Sequence, residues 1–184
     1  MPIQTPICDF GKKALPFELK STENKIISLD DIKGENGTLI MFICNHCPYV
    51  KAVTKEIVED CNELKKIGIN SVAICSNDFV NYPEDSFDNM IKFSKDNQFS
   101  FPYLQDYTQK IAKKYDAVCT PDFFGYDKDL GLQYRGRLRE LKNFIPVKDG
   151  ESDLLKAMKQ IAETGKGPKD QIPSAGCGIK WKYN

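Results

Sequence analysis

The sequence predicts an α/β domain, and three stretches carry that prediction. Residues 38–43 form a short apolar run that leads directly into Cys44-Asn45-His46-Cys47-Pro48. Val50, Val53, Ile57, Cys61, Leu64 and Ile67 then recur at helical spacing up to Gly68, with Lys51, Lys55, Glu56, Glu59, Glu63 and Lys66 largely between them. Residues 70–75 are again rich in β-formers. A buried strand, a helix with one apolar stripe and a second buried strand, in that order, place the two strands parallel through a right-handed crossover.

The remaining elements follow in chain order. Residues 17–20 and 25–28 flank the polar Ser21-Thr22-Glu23-Asn24 and read as a hairpin, while Asp30, Asp31 and Lys33 before Gly34 and Gly37 read as a loop. Residues 81–98 open with Tyr82-Pro83 and the acidic Glu84-Asp85, the start of an inserted helix with Phe87, Met90, Ile91 and Phe93 as its apolar positions. Residues 101–104 read as a short strand and 108–115 as a short helix. Cys119-Thr120-Pro121 precedes two further strands, 122–126 and 132–134, joined by a turn into an antiparallel hairpin. Residues 152–164 close the domain as a helix with Leu154, Leu155, Met158 and Ile161 on one face. The tail, 165–184, is rich in Gly and Pro and has no helical or strand period, although Ile179 and Trp181 give it apolar anchors.

Composition bounds the function. The 184 residues suit a single domain, 1–184, and 26 basic side chains balance 26 acidic ones. A net charge of zero offers no footprint for nucleic acid or an anionic membrane. Residues 1–20 lack the apolar core of a secretory signal, and no segment approaches the roughly 20 apolar residues of a membrane span. Seven cysteines, an odd number scattered through a chain too large to need stapling, fit a reducing compartment, so a cytoplasmic protein is expected. Cys61, on the apolar stripe, reads as a small buried hydrophobe, and Cys8 as an incidental thiol.

The chemistry concentrates at Cys44 and Cys47. At a helix N-terminus the first N–H groups are unpartnered and the macrodipole is positive, so a thiolate is favoured there. The pair therefore reads as a redox dithiol. Cys44, the first and more exposed, is expected to carry the low pKa and to attack, and Cys47, more buried, to resolve the mixed disulfide. His46, between them, is a candidate for tuning the thiolate. Cys75, Asn77 and Asp78 are expected at the carboxyl end of the second strand, on the same edge as Cys44, and read first as structural residues.

A strand entering Cys-x-x-Cys-Pro, a second parallel strand, a Thr-Pro before a terminal hairpin and a closing helix together resemble the thioredoxin fold. More narrowly, Cys44-Asn45-His46-Cys47-Pro48-Tyr49-Val50, Tyr82-Pro83-Glu84-Asp85-Ser86, Phe101-Pro102-Tyr103-Leu104 and Gly176-Cys177-Gly178-Ile179-Lys180-Trp181-Lys182 resemble the peroxiredoxin-like branch of the AhpC/TSA redoxin family. The chain departs from that pattern at Gly178, where Ser is expected, and at Cys119, where Arg is expected. The resemblance implies a central mixed sheet flanked by helices, with the N-terminal hairpin as an extension. It implies that Pro121 is a cis proline facing the dithiol and that Thr120 offers backbone groups to a substrate chain. It also assigns Cys177 to a terminal motif. Set between two glycines, that thiol is expected to be mobile and to reach the Cys44–Cys47 pair as an alternative disulfide partner.

Peroxide reduction is ranked below disulfide exchange. The pattern Pro-x-x-x-Thr-x-x-Cys is absent, since counting back from Cys47 gives Cys44 and Ile40, and counting back from Cys44 gives Met41 and Gly37. Arg135, Arg137 and Arg139 read either as a cation source for the thiolate or as a solvated strand edge. The expected partners are a protein disulfide or small oxidant and a thiol electron donor, with no cofactor. Two other readings stand beside the enzyme. One is a copper- or zinc-handling module that uses Cys44, Cys47, His46 and Cys177. The other is a binding protein that keeps the fold without the activity.

Overall fold

The computed structural model describes residues 1–183. The chain begins with β1 (Ile3–Gln4), β2 (Glu18–Ser21), β3 (Ile26–Ser28) and α1 (Leu29–Ile32), followed by β4 (Gly37–Phe42), α2 (Pro48–Lys66) and β5 (Ile69–Cys75). A 3-10 turn (Pro83–Asp85), α3 (Phe87–Asp96), β6 (Tyr103–Gln105) and α4 (Lys110–Lys114) come next. The second half holds β7 (Cys119–Thr120), β8 (Asp122–Tyr126), β9 (Leu132–Tyr134), a small ribbon of β10 (Leu141–Lys142) and β11 (Ile145–Pro146), α5 (Asp153–Thr164) and β12 (Ala175–Gly178).

Seven strands form one sheet in the order β3-β2-β6-β5-β4-β8-β9. β4 pairs parallel with β5, and β5 with β6, while β8 runs antiparallel to β4 and β9 to β8. The centre is thus a strand-helix-strand unit and the far edge a hairpin. This mixed sheet flanked by helices is the thioredoxin-like arrangement expected from the sequence. The predicted N-terminal hairpin, β2–β3, extends it on the other side by pairing with β6.

Alternation along β4 explains the layers. Leu39, Met41 and Ile43 face one core with α2, α3 and α5, and Ile40 and Phe42 face a second core with α1 and α4. Successive residues of a strand point to opposite faces, so a strand covered on both sides must be apolar throughout. The α2 stripe supplies Val50, Val53, Ile57 and Leu64 to the first core, each worth roughly 1.5–3 kcal/mol of burial. Gly68 ends that helical segment at φ +80, a conformation glycine adopts without a Cβ penalty.

Three local readings need correction. Residues 29–32 are helical rather than loop, because Ser28 Oγ accepts from Asp31 N–H and Asp31 Oδ2 accepts from Ser28 N–H, a capping box. The inserted helix does not run unbroken from 81. Ser86 caps α3 by accepting from Asn89 N–H, and the 3-10 turn before it carries Asp85 into the interior. The tail contains a strand. β12 lies between β1 and β7 in a three-stranded sheet of its own. Gly176 lets it approach so closely that a Cβ there would stand 2.0 Å from the Thr120 carbonyl oxygen. A strand of Ala-Gly-Cys-Gly has too few large side chains to show a period of two, which is why the sequence hides it.

Candidate active site

The site is built where β4 runs into α2. Cys47 is the residue capping α2, with Pro48 in the first turn, a position that costs nothing because the first N–H groups have no intrahelical partner. Across from the turn stands Thr120, and the Thr120–Pro121 peptide bond is cis. Thr120 touches both sulfurs. Its Oγ1 is 3.5 Å from Cys44 Sγ, and its carbonyl oxygen is 3.2 Å from Cys47 Sγ, which donates to it while protonated. The expected packing of Thr120-Pro121 against the dithiol is therefore present.

Neither cysteine is exposed. Cys44 retains 1% of its surface and Cys47 none, so the expected difference in exposure between them is absent. What differs is their company. Cys47 Sγ is approached by the Cys44 thiol, by the Cys177 thiol and N–H, and by the Thr120 hydroxyl. These donors outnumber the one opposing carbonyl, and they hold the Cys47 pKa down at about 4 against the cost of burial. Cys44 goes the other way. It gives its hydrogen bond to Cys47, is desolvated, and feels the negative charge of Asp85, and all three raise its pKa. These surroundings favour a thiolate on Cys47 over one on Cys44, the opposite order to that expected from their places at the helix start.

His46 turns away from that charge. Its Nδ1 lies 2.7 Å from Asp85 Oδ2 without the direction of a hydrogen bond, and its ring stacks over Tyr82 with centroids 6.1 Å apart. Asp85 is the residue that sequence reasoning missed. Its Oδ1 accepts from the Asn45 N–H at 2.8 Å and its Oδ2 from Asn77 Nδ2 at 2.8 Å. Asn45 in turn accepts from the Tyr103 hydroxyl at 2.8 Å. These contacts fix the middle of the Cys44–Cys47 turn from the β5–β6 side. The Tyr-Pro-Glu-Asp-Ser motif was visible in the sequence, but only its 3-10 turn aims the acid inward. Asn77 also accepts from the Lys180 N–H, tying the tail to the same network.

Cys177 comes to the site from β12. It is the register partner of Thr120, as Gly178 is of Cys119, and it packs against the core that contains Cys44 and Cys47. It is partly exposed, and burial together with the Cys47 charge pushes its pKa up to about 11. Thr120 therefore touches two of the sulfurs and pairs through its backbone with the residue that carries the third. The backbone edge expected to receive a substrate chain is already paired with the protein's own tail. All seven cysteines are unbonded.

The three arginines are placed elsewhere. Arg135 is buried on Asp122, at 2.9 Å, and Arg139 on Glu56, at 2.7 Å, while Arg137 pairs with Asp153 at 2.7 Å. They form neither a solvated strand edge nor a cation source at the thiols. A cleft of about 230 Å³ opens beside the site between Tyr49, Val53, Pro121, Phe123 and Pro173, and neither sulfur lies on its wall. No helix among the described residues is long and apolar enough to cross a membrane.

Comparison with known proteins agrees with this geometry. An uncharacterized conserved protein from Geobacillus kaustophilus is 41% identical, with 100% of this chain and 98% of that one covered and a TM-score of 0.94. A hypothetical protein from Sinorhizobium meliloti is 30% identical over 100% of both chains, with a TM-score of 0.91. A thiol:disulfide interchange protein of the thioredoxin family from Chlorobium tepidum is 14% identical over 83% of this chain and 97% of that one, with a TM-score of 0.64. That last likeness speaks for the fold alone. No curated protein matches the chain. Residues 10–137, which carry the dithiol, the inserted turn with Asp85 and the Thr120-Pro121 loop, match the AhpC/TSA family, and the chain belongs to that family.

Proposed function

We propose that the protein is a thiol-disulfide oxidoreductase whose working group is the Cys44/Cys47 dithiol. The observation that carries the reading is the convergence of both sulfurs on Thr120, at 3.5 and 3.2 Å, beside a Cys47 held as a thiolate by its neighbours. The thiolate attacks one sulfur of a disulfide R–S–S–R′ and expels R′–S⁻. The second cysteine, losing its proton, attacks the mixed disulfide and expels R–S⁻. Two protein thiols become the Cys44–Cys47 disulfide, one substrate disulfide becomes two thiols, and an external thiol donor returns the pair to the reduced state. Because β12 occupies the edge beside Thr120, the substrate favoured here is a small disulfide rather than an extended chain.

Peroxide reduction stays secondary. Its sequence pattern is missing, and Arg135, Arg137 and Arg139 are all committed to carboxylates. The test is turnover of oxidised glutathione with dithiothreitol as donor. Cys47→Ser and the double variant Cys44→Ser/Cys177→Ser should each fall to background, a loss on the order of 10³-fold or more. Wild-type turnover in either variant would sink the proposal. The order of attack is read separately. With the charge on Cys47, a glutathione mixed disulfide should accumulate in Cys44→Ser/Cys177→Ser, where no neighbouring thiol remains to resolve it, and accumulation in Cys47→Ser instead would return the attacking role to Cys44.

A metal-handling reading has one observation of its own. Cys44 Sγ, a His46 ring nitrogen and an Asp85 carboxylate oxygen lie within 4.8 Å of one another, a sulfur, nitrogen and oxygen set that suits zinc. Stoichiometric Zn²⁺ binding that Asp85→Asn abolishes, in a protein without turnover, would favour it.

A further inference from the structure

We propose that Cys177 is a relay thiol: it takes over Cys47 from the Cys44–Cys47 disulfide and presents the resulting Cys47–Cys177 disulfide to the external thiol donor. The inference rests on the dithiol reading and adds a third cysteine and a route to it.

The three sulfurs differ in access. Cys44 and Cys47 are both buried, and attack by a donor thiolate requires access to a sulfur, so a disulfide between them is a less open target than the sulfur of Cys177. Cys177 is the partly exposed member of the sulfur cluster. Its placement is built rather than incidental. β12 pairs with β7 so that Cys177 stands opposite Thr120, whose carbonyl oxygen is the atom 3.2 Å from Cys47 Sγ. Gly176 is needed for that approach, because a Cβ would meet the Thr120 carbonyl at 2.0 Å. Ser174 Oγ donates to the Pro121 carbonyl at 2.7 Å, and Ile3 pairs with Gly176 from the outer side, so the strand is held on both flanks. The tail thus places a cysteine where the resemblance places an incoming chain, and the mobile thiol expected from the sequence is instead fixed in a strand.

The chemistry balances without a new oxidant. The Cys177 thiol loses a proton and its sulfur attacks Cys47 Sγ. The Cys44–Cys47 bond breaks, a Cys47–Cys177 bond forms, and Cys44 leaves as a thiolate that takes up a proton. No electrons enter or leave. A donor thiolate then attacks the partly exposed Cys177 sulfur and expels Cys47. A second donor thiol attacks the mixed disulfide and expels Cys177, so two donor thiols become one disulfide. Electrostatics suit the reduction step, since Cys47 is a low-pKa leaving group, and a lower-pKa thiol leaves faster. They make the relay step base-dependent, because the Cys177 thiol must lose its proton before it attacks and burial holds its pKa above the ordinary thiol value. Its rate should rise about tenfold per pH unit through the neutral range.

The experiment uses the reduced full chain, oxidised with one equivalent of diamide, quenched with an alkylating agent and mapped by peptide mass spectrometry. The expected wild-type result is two bridged forms, 44–47 and 47–177, with faster exchange between them at pH 9 than at pH 7. Cys44→Ser should still close 47–177. Cys177→Ser should close only 44–47, and its reduction by glutathione should be about tenfold slower than wild type or worse. If 44–47 forms but 47–177 appears in neither wild type nor Cys44→Ser, the relay is overturned and the dithiol reading stands. Reduction of oxidised Cys177→Ser at the wild-type rate overturns it as well. If no bridge forms in wild type or Cys177→Ser, the dithiol reading itself falls.

Discussion

The two ends of the Cys44–Cys47 turn are three residues apart in sequence and lie in unlike surroundings. On the Cys44 side stands a polar network centred on a buried carboxylate, in which Asp85 is held by the Asn45 N–H, Asn77 and the contact with His46. On the Cys47 side stand sulfur and backbone, namely Cys177, the Thr120 carbonyl and the strand that carries them. The first environment discourages a thiolate, because a fixed negative charge in a poorly solvated place repels a second one. The second supplies donors to a thiolate in the Cys177 thiol and N–H and the Thr120 hydroxyl, which outweigh the Thr120 carbonyl. Position at a helix N-terminus favours ionisation in general, but the unequal neighbours decide which sulfur takes the charge.

The strongest way to break that comparison is Cys44→Ala. The Cys44 hydrogen bond is the largest cause of the depressed Cys47 pKa. Its loss should move the first thiolate step from about pH 4 towards the ordinary thiol value of 9.0. Thiolate absorbance against pH reads this directly, and an unmoved step would show that the helix terminus alone is responsible. Gly176→Ala attacks the other side, forcing β12 away from Thr120. It should cost about 1–3 kcal/mol in urea unfolding, as overpacking does, and a loss below about 0.5 kcal/mol would mean that the strand yields freely.

Asp85→Asn sharpens the comparison on the Cys44 side. It removes the charge that opposes Cys44 ionisation but keeps an oxygen for the Asn45 N–H. Alkylation of Cys44 at pH 8 in a Cys47→Ser background should accelerate by about three- to tenfold, whereas a slower rate would assign Asp85 a different role.

Asp60 serves as a carboxylate remote from sulfur, and there the smallest effect is expected. Burial raises its pKa to about 6 although Ser152 Oγ donates to it at 2.6 Å. A carboxyl whose folded pKa lies above its unfolded value binds its proton more tightly in the folded state. Its favourable contribution is present below about pH 4 and is lost as pH rises towards 6. Asp60→Asn should therefore stabilise the fold by about 1–2 kcal/mol at pH 7, after allowance for residual solvent screening, and by nothing at pH 3. Equal effects at both pH values would show that packing, not charge, sets the difference.

The sequence by itself determined the parts whose signal is local and repetitive. The apolar run of β4, the stripe of α2 and the β-rich β5 state their own burial, and periodicity survives without knowledge of neighbours. Two cysteines bracketing a helix start announced the dithiol, and Thr120-Pro121 was readable once the motifs around it suggested a family. The tertiary structure decided what depends on approach across long separations. It placed Asp85, 40 residues beyond Asn45, beneath the turn, and it seated Cys177 opposite Thr120. It also turned Arg135 and Arg139 from apparent edge residues into buried partners of Asp122 and Glu56. Charge and hydrogen-bond energies depend on distance and solvent exposure, and neither quantity is written in residue spacing. Which of Cys44 and Cys47 is favoured as the thiolate turns on the hydrogen bond between them and on Cys177, Thr120 and Asp85, contacts that only the folded chain brings together.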